Sequence, residues 1–406
     1  MGNIDITCTG KIRSKDTLVK AVQRLVKQRN LRLGVWEEGM RIVVCPRGYL
    51  DFAWTKEKGL FGQWNLRCGC NTTPVGPGFH KAALELLEEL GGLGIKEWNV
   101  QDRSDYQQDR DFGALRREWF LPWLEEQVSQ VLEKTAPGEM GYLFWEVDQY
   151  RPEVVPDTIA TPLGRFPVAW LKEKLEKGAL EELAQYLFLW DQPGMNALYL
   201  RNRALKQLWE DCCFAPSDRS YQDRQINADI LDTLERSAAM DPSLPQPVAD
   251  YRELCILDDR TPSMPEDVPE MEELYPIGYR RGEVLQPYDK LVVPLPGLYH
   301  YEWSNGGMDS AGAIWRFTAL RSRMGSAQFA MDMAQLQDVR TKQLEGGQAH
   351  WGWKEMPPKK KDDDLLYRVS CEAVAGDTLF VITITYLHPE HREDIYDRLE
   401  RMTILK

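Results

Sequence analysis

The last third of the chain, residues 277–406, alternates segments of strand period with segments of helical period. Apolar residues recur at every second position in the former and at every third or fourth position in the latter. The predicted order is three strands, a helix, three strands and a final helix, which is typical of a self-contained α+β unit. The strands are predicted at Lys290–Pro294, Leu298–Trp303, Ala313–Leu320, Gln348–Glu355, Leu365–Val374 and Asp377–Leu387, and the helices at Ser326–Leu344 and Pro389–Met402.

A chain of 406 residues exceeds the usual size of one domain, so we expect two or three. Residues 1–150 mix both periods and predict an α+β domain. Leu18, Val22, Leu25 and Val26 recur at helical spacing after a polar start at Ser14, which indicates an amphipathic helix. Further helices are predicted at Phe79–Leu90 and Ala114–Lys134, and strands at Leu31–Trp36, Arg41–Cys45, Tyr49–Trp54, Gln63–Cys70, Ile95–Val100 and Met140–Val147.

Residues 151–245 predict a helical region, because apolar residues recur there at helical spacing between Gly, Pro and Asp breaks. Prolines and acidic residues then recur through residues 246–276. Proline fixes φ and lacks an amide donor, so we expect an extended acidic linker there. The chain is therefore predicted to be a multi-domain α+β protein in which a helical region joins two mainly antiparallel sheet domains.

Two segments resemble known families. The element order of residues 277–406 is similar to that of the PsbP-like α/β/α sandwich, which implies a fold for packing and binding and supplies no catalytic residues. Residues 214–242 resemble the end of one tetratricopeptide repeat, with departures at Phe214, Asp218 and Ile230. Such repeats stack in several units, so the resemblance implies no peptide-binding superhelix. The chain as a whole resembles a bacterial protein.

Charge and hydropathy bound the class of partner. The net charge is -13, whereas phosphate binding needs a basic field, so we expect no nucleic-acid partner, although a small basic patch fits within that total. No basic segment followed by an apolar core begins the sequence, and the longest apolar run, Leu379–Leu387, is too short to span a bilayer. We therefore expect a soluble, cytoplasmic protein without a membrane partner.

One loop is the leading candidate for ligand binding. Gly76, Gly78, His80 and Lys81 lie where a Gly-Pro segment enters a predicted helix. Free amides and the positive dipole end at a helix N-terminus can bind an anion, and the two basic residues would add charge. The alternative is a structural turn, because Pro77 removes one amide donor and the phosphate-loop spacing is absent.

Cysteine and histidine spacings suggest no metal or cofactor. Cys68 and Cys70 share one face of a predicted strand, and we expect them to be buried free thiols. His388 and His391 are three residues apart at a helix start, but no third ligand is close in sequence. The chain has five His and no recognised catalytic motif, so we predict no catalytic residue.

The expected function is that of a non-enzymatic interaction module, of adaptor or immunity type, whose partner is another protein. Abundant aromatic residues and the lack of a catalytic motif favour this hypothesis. The alternative is a hydrolase with a cleft between the N-terminal domain and the helical region, near Gly78 or Asp148. Converging ionisable groups in a deep pocket would favour the enzyme, and a shallow aromatic patch would favour binding.

Overall fold

A computed structural model describes residues 2–56, 62–145, 151–212, 221–271, 282–297, 300–304, 307–311, 315–323, 328–358 and 364–405. Three positions singled out above, Asp148, Phe214 and Asp218, lie outside these ranges. Among the described residues, no helix is both long and apolar enough to cross a bilayer.

Strands are labelled in chain order. They are β1 (Asp5–Ile12), β2 (Arg32–Trp36), β3 (Gly39–Cys45), β4 (Gly48–Lys56), β5 (Trp64–Asn71), β6 (Lys96–Asp102), β7 (Met140–Tyr142), β8 (Arg151–Pro152), β9 (Thr158–Thr161), β10 (Gly164–Pro167), β11 (Glu283–Tyr288), β12 (Leu291–Pro296), β13 (His300–Ser304), β14 (Gly307–Ala311), β15 (Trp315–Arg323), β16 (Gln337–Leu344), β17 (Gly347–Met356), β18 (Leu366–Ala375), β19 (Thr378–Tyr386) and β20 (Thr403–Ile404).

Helices follow the same convention. They are α1 (Lys15–Gln28), α2 (Pro77–Gly91), α3 (Tyr106–Asp109), α4 (Phe112–Ala114), α5 (Leu121–Lys134), α6 (Val168–Glu176), α7 (Leu180–Leu187), α8 (Ala197–Lys206), α9 (Tyr221–Met240), α10 (Val248–Leu257) and α11 (Arg392–Glu400). Two π-helical segments, Leu115–Phe120 and Gln207–Asp211, adjoin α5 and α8.

The chain divides into two compact units, each with antiparallel sheets and helices, so the predicted multi-domain α+β class is confirmed. The first unit comprises Met1–Trp145, Val155–Cys212 and Pro216–Ile277. The second comprises Glu146–Val154, Cys213–Ala215 and Gly278–Lys406. Most of residues 1–150 and of residues 151–245, which the sequence separates by composition, thus lie in one unit.

The first unit is organised on a six-stranded sheet with the order β2-β3-β4-β5-β1-β6. Alternate residues of its central strands are buried, as in a sheet with one covered face. Helix α1 begins after Ser14, at the polar start that the sequence predicts, and the Ser14 side chain caps it by accepting a hydrogen bond from the Thr17 amide. Strand β1 was missed, although its alternating Ile6, Cys8 and Ile12 are buried and it pairs with both β5 and β6.

The predicted extended linker at residues 246–276 is wrong over its first part. Helix α10 occupies Val248–Leu257 and buries Tyr251 and Leu254. Pro247 immediately precedes this helix, a position where a missing amide donor costs nothing. The later residues Met264 and Val268 are buried too, so this segment is part of the packing of the first unit.

The second unit contains a four-stranded sheet, β20-β12-β11-β8, and a seven-stranded sheet, β13-β14-β15-β19-β18-β17-β16. The core cluster combines large residues of the second sheet with residues of α11 and β12. Its members include Trp351, Phe317, Phe380, Ile382, Tyr386, Ile395, Tyr396, Leu399, Leu291 and Val293.

The predicted helix at Ser326–Leu344 is wrong where the structure describes it. Residues 337–344 form β16, which pairs with β17, and only Met333–Gln335 form a short 3-10 helix. Glu372 holds the segment before β16, because its carboxylate accepts hydrogen bonds from the Ala330 and Met331 amides at 2.9 and 3.0 Å. The resemblance to a PsbP-like sandwich depended on that helix, and it stays a prediction.

Candidate functional site

The start of α2 contains three of the four predicted ligand residues, Gly78, His80 and Lys81, and Gly76 directly precedes it. Gly76 precedes the helix with φ of 118°, and Pro77 begins it. The Gly78 amide donates to the Trp190 carbonyl at 2.9 Å, and the Trp190 amide donates to the Val75 carbonyl at 2.9 Å. The Gly78 amide is therefore engaged by the protein itself, and it does not offer the free donor that an anion cradle needs.

Both glycines are required by the close approach of the loop around Trp190. A Cβ atom at Gly76 would lie 2.6 Å from the Trp190 carbonyl oxygen, and one at Gly78 would lie 2.3 Å from Trp190 Cδ1. The φ of Gly76 also lies in the range that favours glycine. The local geometry is that of the structural turn considered above.

His80 is completely buried and lies within a polar network. Its Nδ1 atom is 2.8 Å from Thr72 Oγ1, and its Nε2 atom is 3.1 Å from Asp102 Oδ1 and 3.2 Å from Ser104 Oγ. Thr72 Oγ1 donates to the Ile4 carbonyl at 2.5 Å, and Ser104 Oγ donates to Asp102 Oδ1 at 2.7 Å. Four elements, the start of β1, the turn after β5, α2 and the end of β6, are joined by this network.

The Thr72 and Ser104 hydroxyl groups in this network donate to oxygen atoms and not to His80. Since Thr72 donates to Ile4 and Ser104 donates to Asp102, each nitrogen of His80 faces an oxygen that can only accept. Burial alone would raise the pKa of Asp102, but hydrogen bonding and Coulombic attraction from His80, with bonds from Ser104, lower it to about 2.

Ser104, His80 and Asp102 are not arranged for nucleophilic catalysis. In a catalytic triad the serine and the carboxylate lie at opposite ring nitrogens, whereas here both lie at Nε2. The serine proton is already held by Asp102, and all three side chains are withdrawn from solvent. The network therefore stabilises the fold of the first unit.

A cavity of 220 Å³ lies on the other side of α2 and is lined by Gly78 and Lys81. Gly76 and His80 do not line it, so the structure brings only two of the four predicted residues to one site. Its lining combines apolar and charged side chains. The lining residues are Arg29, Leu31, Val44, Gly78, Lys81, Ala82, Glu85, Leu86, Trp190, Gly194 and Met195.

The charged side chains that line the cavity form ion pairs. Lys81 pairs with Glu85 one helical turn away, and Arg29 pairs with Glu89. The Trp190 indole N–H donates to the Gly194 carbonyl at 2.9 Å, which fixes the ring at the cavity wall. Met195 is 54% exposed and forms the open margin. The cavity therefore combines apolar lining residues with charged ones that are already paired.

The predicted thiol pair is buried, as expected for free cysteines. Cys68 and Cys70 point into the sheet core, and Cys8 lies directly opposite Cys68 on β1. A hydrogen bond with Cys8 and burial raise the pKa of the Cys68 thiol well above its ordinary range, and burial raises that of Cys70.

The rings of His388 and His391 lie 6.0 Å apart. Within the described ranges, no group of three His, Cys, Asp or Glu side chains could hold a metal ion.

Sequence reasoning missed Asp102, Ser104, Trp190 and Met195. An Asp-x-Ser segment directly after a strand is a signal for the Asx turn observed, in which the Ser104 amide donates to Asp102 at 2.9 Å. Trp190 and Met195 carry no such local signal, because tertiary folding alone brings their loop to α2.

No family model and no curated protein matches this chain. A solved structure from Bacteroides thetaiotaomicron VPI-5482 matches 31% of this chain and 48% of its own, at 7% identity and a TM-score of 0.23. The match thus spans about half of that structure's length, and a likeness this weak carries no argument about fold or function.

Proposed function

We propose that this chain is a non-enzymatic protein-binding module, of adaptor or immunity type, which holds a side chain of its partner protein in the cavity beside α2. The apolar part of the cavity lining carries the proposal. Leu31, Val44 and Leu86 line the cavity together with Trp190, and charged side chains complete the lining. An apolar centre inside a polar rim is the usual anatomy of a protein-binding surface.

The size of the cavity supports a side-chain anchor. Small-molecule sites usually enclose roughly 300–1,000 Å³, whereas this cavity encloses 220 Å³. That space suits one large apolar side chain, and such anchors supply much of the binding energy in protein interfaces. Met195 and Trp190 add the soft and aromatic surface that interfaces favour.

The hydrolase alternative rests on the position of the same cavity, which lies between α2 and a loop of the predicted helical region, next to Gly78. A hydrolase needs a nucleophile and a general base in reach of the substrate. The lining supplies one carboxylate, Glu85, and Lys81 already pairs with it. Binding is therefore the better supported of the two functions.

We place this activity in the cytoplasm. The seven described cysteines are buried and none of them is in a disulfide, which fits a reducing compartment. The partner would accordingly be an intracellular protein.

The proposal is tested by using the intact chain to capture proteins from a lysate of its source cells. Met195→Asp places a charge at the margin of the cavity, and Met240→Asp is the matched control because Met240 is 56% exposed at the end of α9. We expect a stoichiometric protein to be retained by the wild type and by the control and to be lost from Met195→Asp. Equal capture by all three proteins would contradict the proposal.

A further inference from the structure

Strand β2 is the terminal strand of the six-stranded sheet, and it exposes apolar residues. Within the described part of the chain, β3 is its sole strand neighbour. Val35 is 48% exposed and Trp36 is 46% exposed, while Leu33 is half-buried. Terminal strands of soluble domains usually carry charges or proline that prevent pairing with other chains. Between Leu33 and Trp36, β2 carries neither.

The backbone register shows which groups of β2 point outward. The two residues Glu37 and Glu38 join β2 to β3, and Trp36 lies opposite Gly39. The pair that closes a two-residue hairpin exchanges hydrogen bonds, and such pairs alternate along the strands. Gly34 therefore bonds to Arg41 of β3, whereas the amides and carbonyls of Leu33 and Val35 point away from the sheet.

The helix that leads into β2 carries uncompensated positive charge. Lys20, Arg24 and Lys27 of α1 and Arg32 of β2 are exposed, and none of them forms an ion pair with any described residue. The Leu31 amide donates to the Val26 carbonyl at 2.8 Å, so the last turn of α1 and the start of β2 are directly joined. This basic surface is notable in a chain whose net charge is -13.

The same end of β2 adjoins the cavity. Leu31 lines the cavity and immediately precedes Arg32, the first residue of β2. Leu31, Leu33 and Val35 share one face of the strand because side chains alternate. The end of the basic helix, the cavity-lining residue Leu31 and the exposed edge of β2 thus follow one another directly along the chain.

We propose that an acidic, extended segment of the partner protein adds to β2 as an additional antiparallel or parallel strand and inserts an apolar side chain into the cavity. This inference rests on the proposed function and names its partner's chemistry. Main-chain bonds to Leu33 and Val35 provide affinity, and alternate side chains provide specificity. Acidic side chains of the segment face the uncompensated Arg24, Lys27 and Arg32, which steers association.

A protein segment fits this surface better than a nucleic acid does. Phosphate contacts would use the basic helix, but they would leave Leu33, Val35 and the apolar cavity without a partner. An acidic strand uses all of these features at once.

The test uses a short synthetic peptide in which isoleucine and glutamate alternate, labelled for fluorescence anisotropy, with the intact chain. Two further peptides carry N-methyl groups, one on every isoleucine amide and the other on every glutamate amide. Strand addition uses the amides of one alternate set, so one methylated peptide should lose binding and the other should keep it. Hydrogen exchange should slow at Leu33 and Val35 in the complex. Equal binding of both methylated peptides would overturn strand addition.

Charge reversal tests the basic surface. Arg24→Glu with Lys27→Glu should weaken peptide binding by about tenfold or more, while Lys172→Glu with Arg252→Glu, at exposed sites elsewhere in the unit, should leave it unchanged. Equal effects of the two double variants, or tighter binding of a single-stranded oligonucleotide than of the peptide, would overturn the inference.

If Met195→Asp still abolishes partner capture while the peptide results are negative, the inference alone is rejected. If Met195→Asp has no effect, the proposed function is rejected.

Discussion

The Nε2 atom of His80 lies 3.1 Å from Oδ1 of Asp102, and solvent reaches neither side chain. A buried carboxylate is stabilised when hydrogen bonds satisfy its oxygens. Here Ser104 donates to the carboxylate through its hydroxyl and its amide, and the Gln107 amide donates to Asp102 Oδ2 at 2.9 Å. The pair joins α2 to the end of β6, so it fixes the helix that also forms the wall of the cavity.

Acid should weaken the first unit through Asp102. Its pKa is about 2 in the folded chain and ordinarily 3.8, so the folded state favours the carboxylate. The resulting stabilisation, about 2 kcal/mol, is fully present above about pH 4 and is lost as the pH falls towards 2. Urea unfolding between pH 5 and pH 2.5 should show this loss in the wild type and a smaller one in Asp102→Asn. Parallel pH dependences of the two proteins would refute the assignment.

Gly78→Ala should destabilise the chain by about 1–3 kcal/mol, because the new Cβ atom would overlap Trp190 and the Gln192 carbonyl. Gly69→Ala is the matched control, since a Cβ atom there meets no heavy atom within 4 Å. Its effect should stay within about 0.5 kcal/mol. Thermal unfolding of both variants gives the comparison, and similar midpoints for the two would contradict the observed packing.

The sheet thiols should be unreactive in the native protein. The pKa values of Cys68 and Cys70 are raised, so little thiolate is present at neutral pH, and burial blocks reagents. Labelling with a thiol-specific disulfide reagent, followed by peptide mass spectrometry, should modify these two residues only after denaturation. Rapid native labelling of Cys68 would show that the sheet opens.

Glu372→Gln should loosen the segment before β16. The Glu372 carboxylate accepts the amides of Ala330 and Met331 and lies 3.3 Å from His350 Nε2. A neutral amide accepts more weakly, so hydrogen exchange at residues 330 and 331 should accelerate by about tenfold. Glu355→Gln, at an exposed site on β17, is the control. Unchanged exchange in Glu372→Gln would show that other contacts hold this segment.

Local sequence patterns correctly predicted those helices and strands whose structure is determined by nearby residues. Ser14 and the helical spacing of Leu18, Val22, Leu25 and Val26 predicted α1. The turn at Gly376, whose φ is 60°, separates the two strands predicted on either side of it. Strand β1 carries the same kind of local signal, because its apolar residues alternate with polar ones.

Tertiary contacts decided the elements that the sequence predicted wrongly. Residues 337–344 include good helix formers such as Arg340, Lys342 and Leu344, but pairing with β17 makes the segment a strand. The candidate loop was located by its glycines, whereas the reason for those glycines is Trp190, more than a hundred residues away in sequence. Only Gly78 and Lys81 reach the cavity, because successive helical positions face different directions and His80 faces the core.

Hydrogen exchange of the intact chain, with and without the captured partner, tests the central claim most directly. We predict that the partner slows exchange at residues 78–86 and 190–195, which contribute to the cavity lining, and along β2, which directly follows the lining residue Leu31. Protection confined to the second unit, with unchanged exchange around the cavity, would contradict the account.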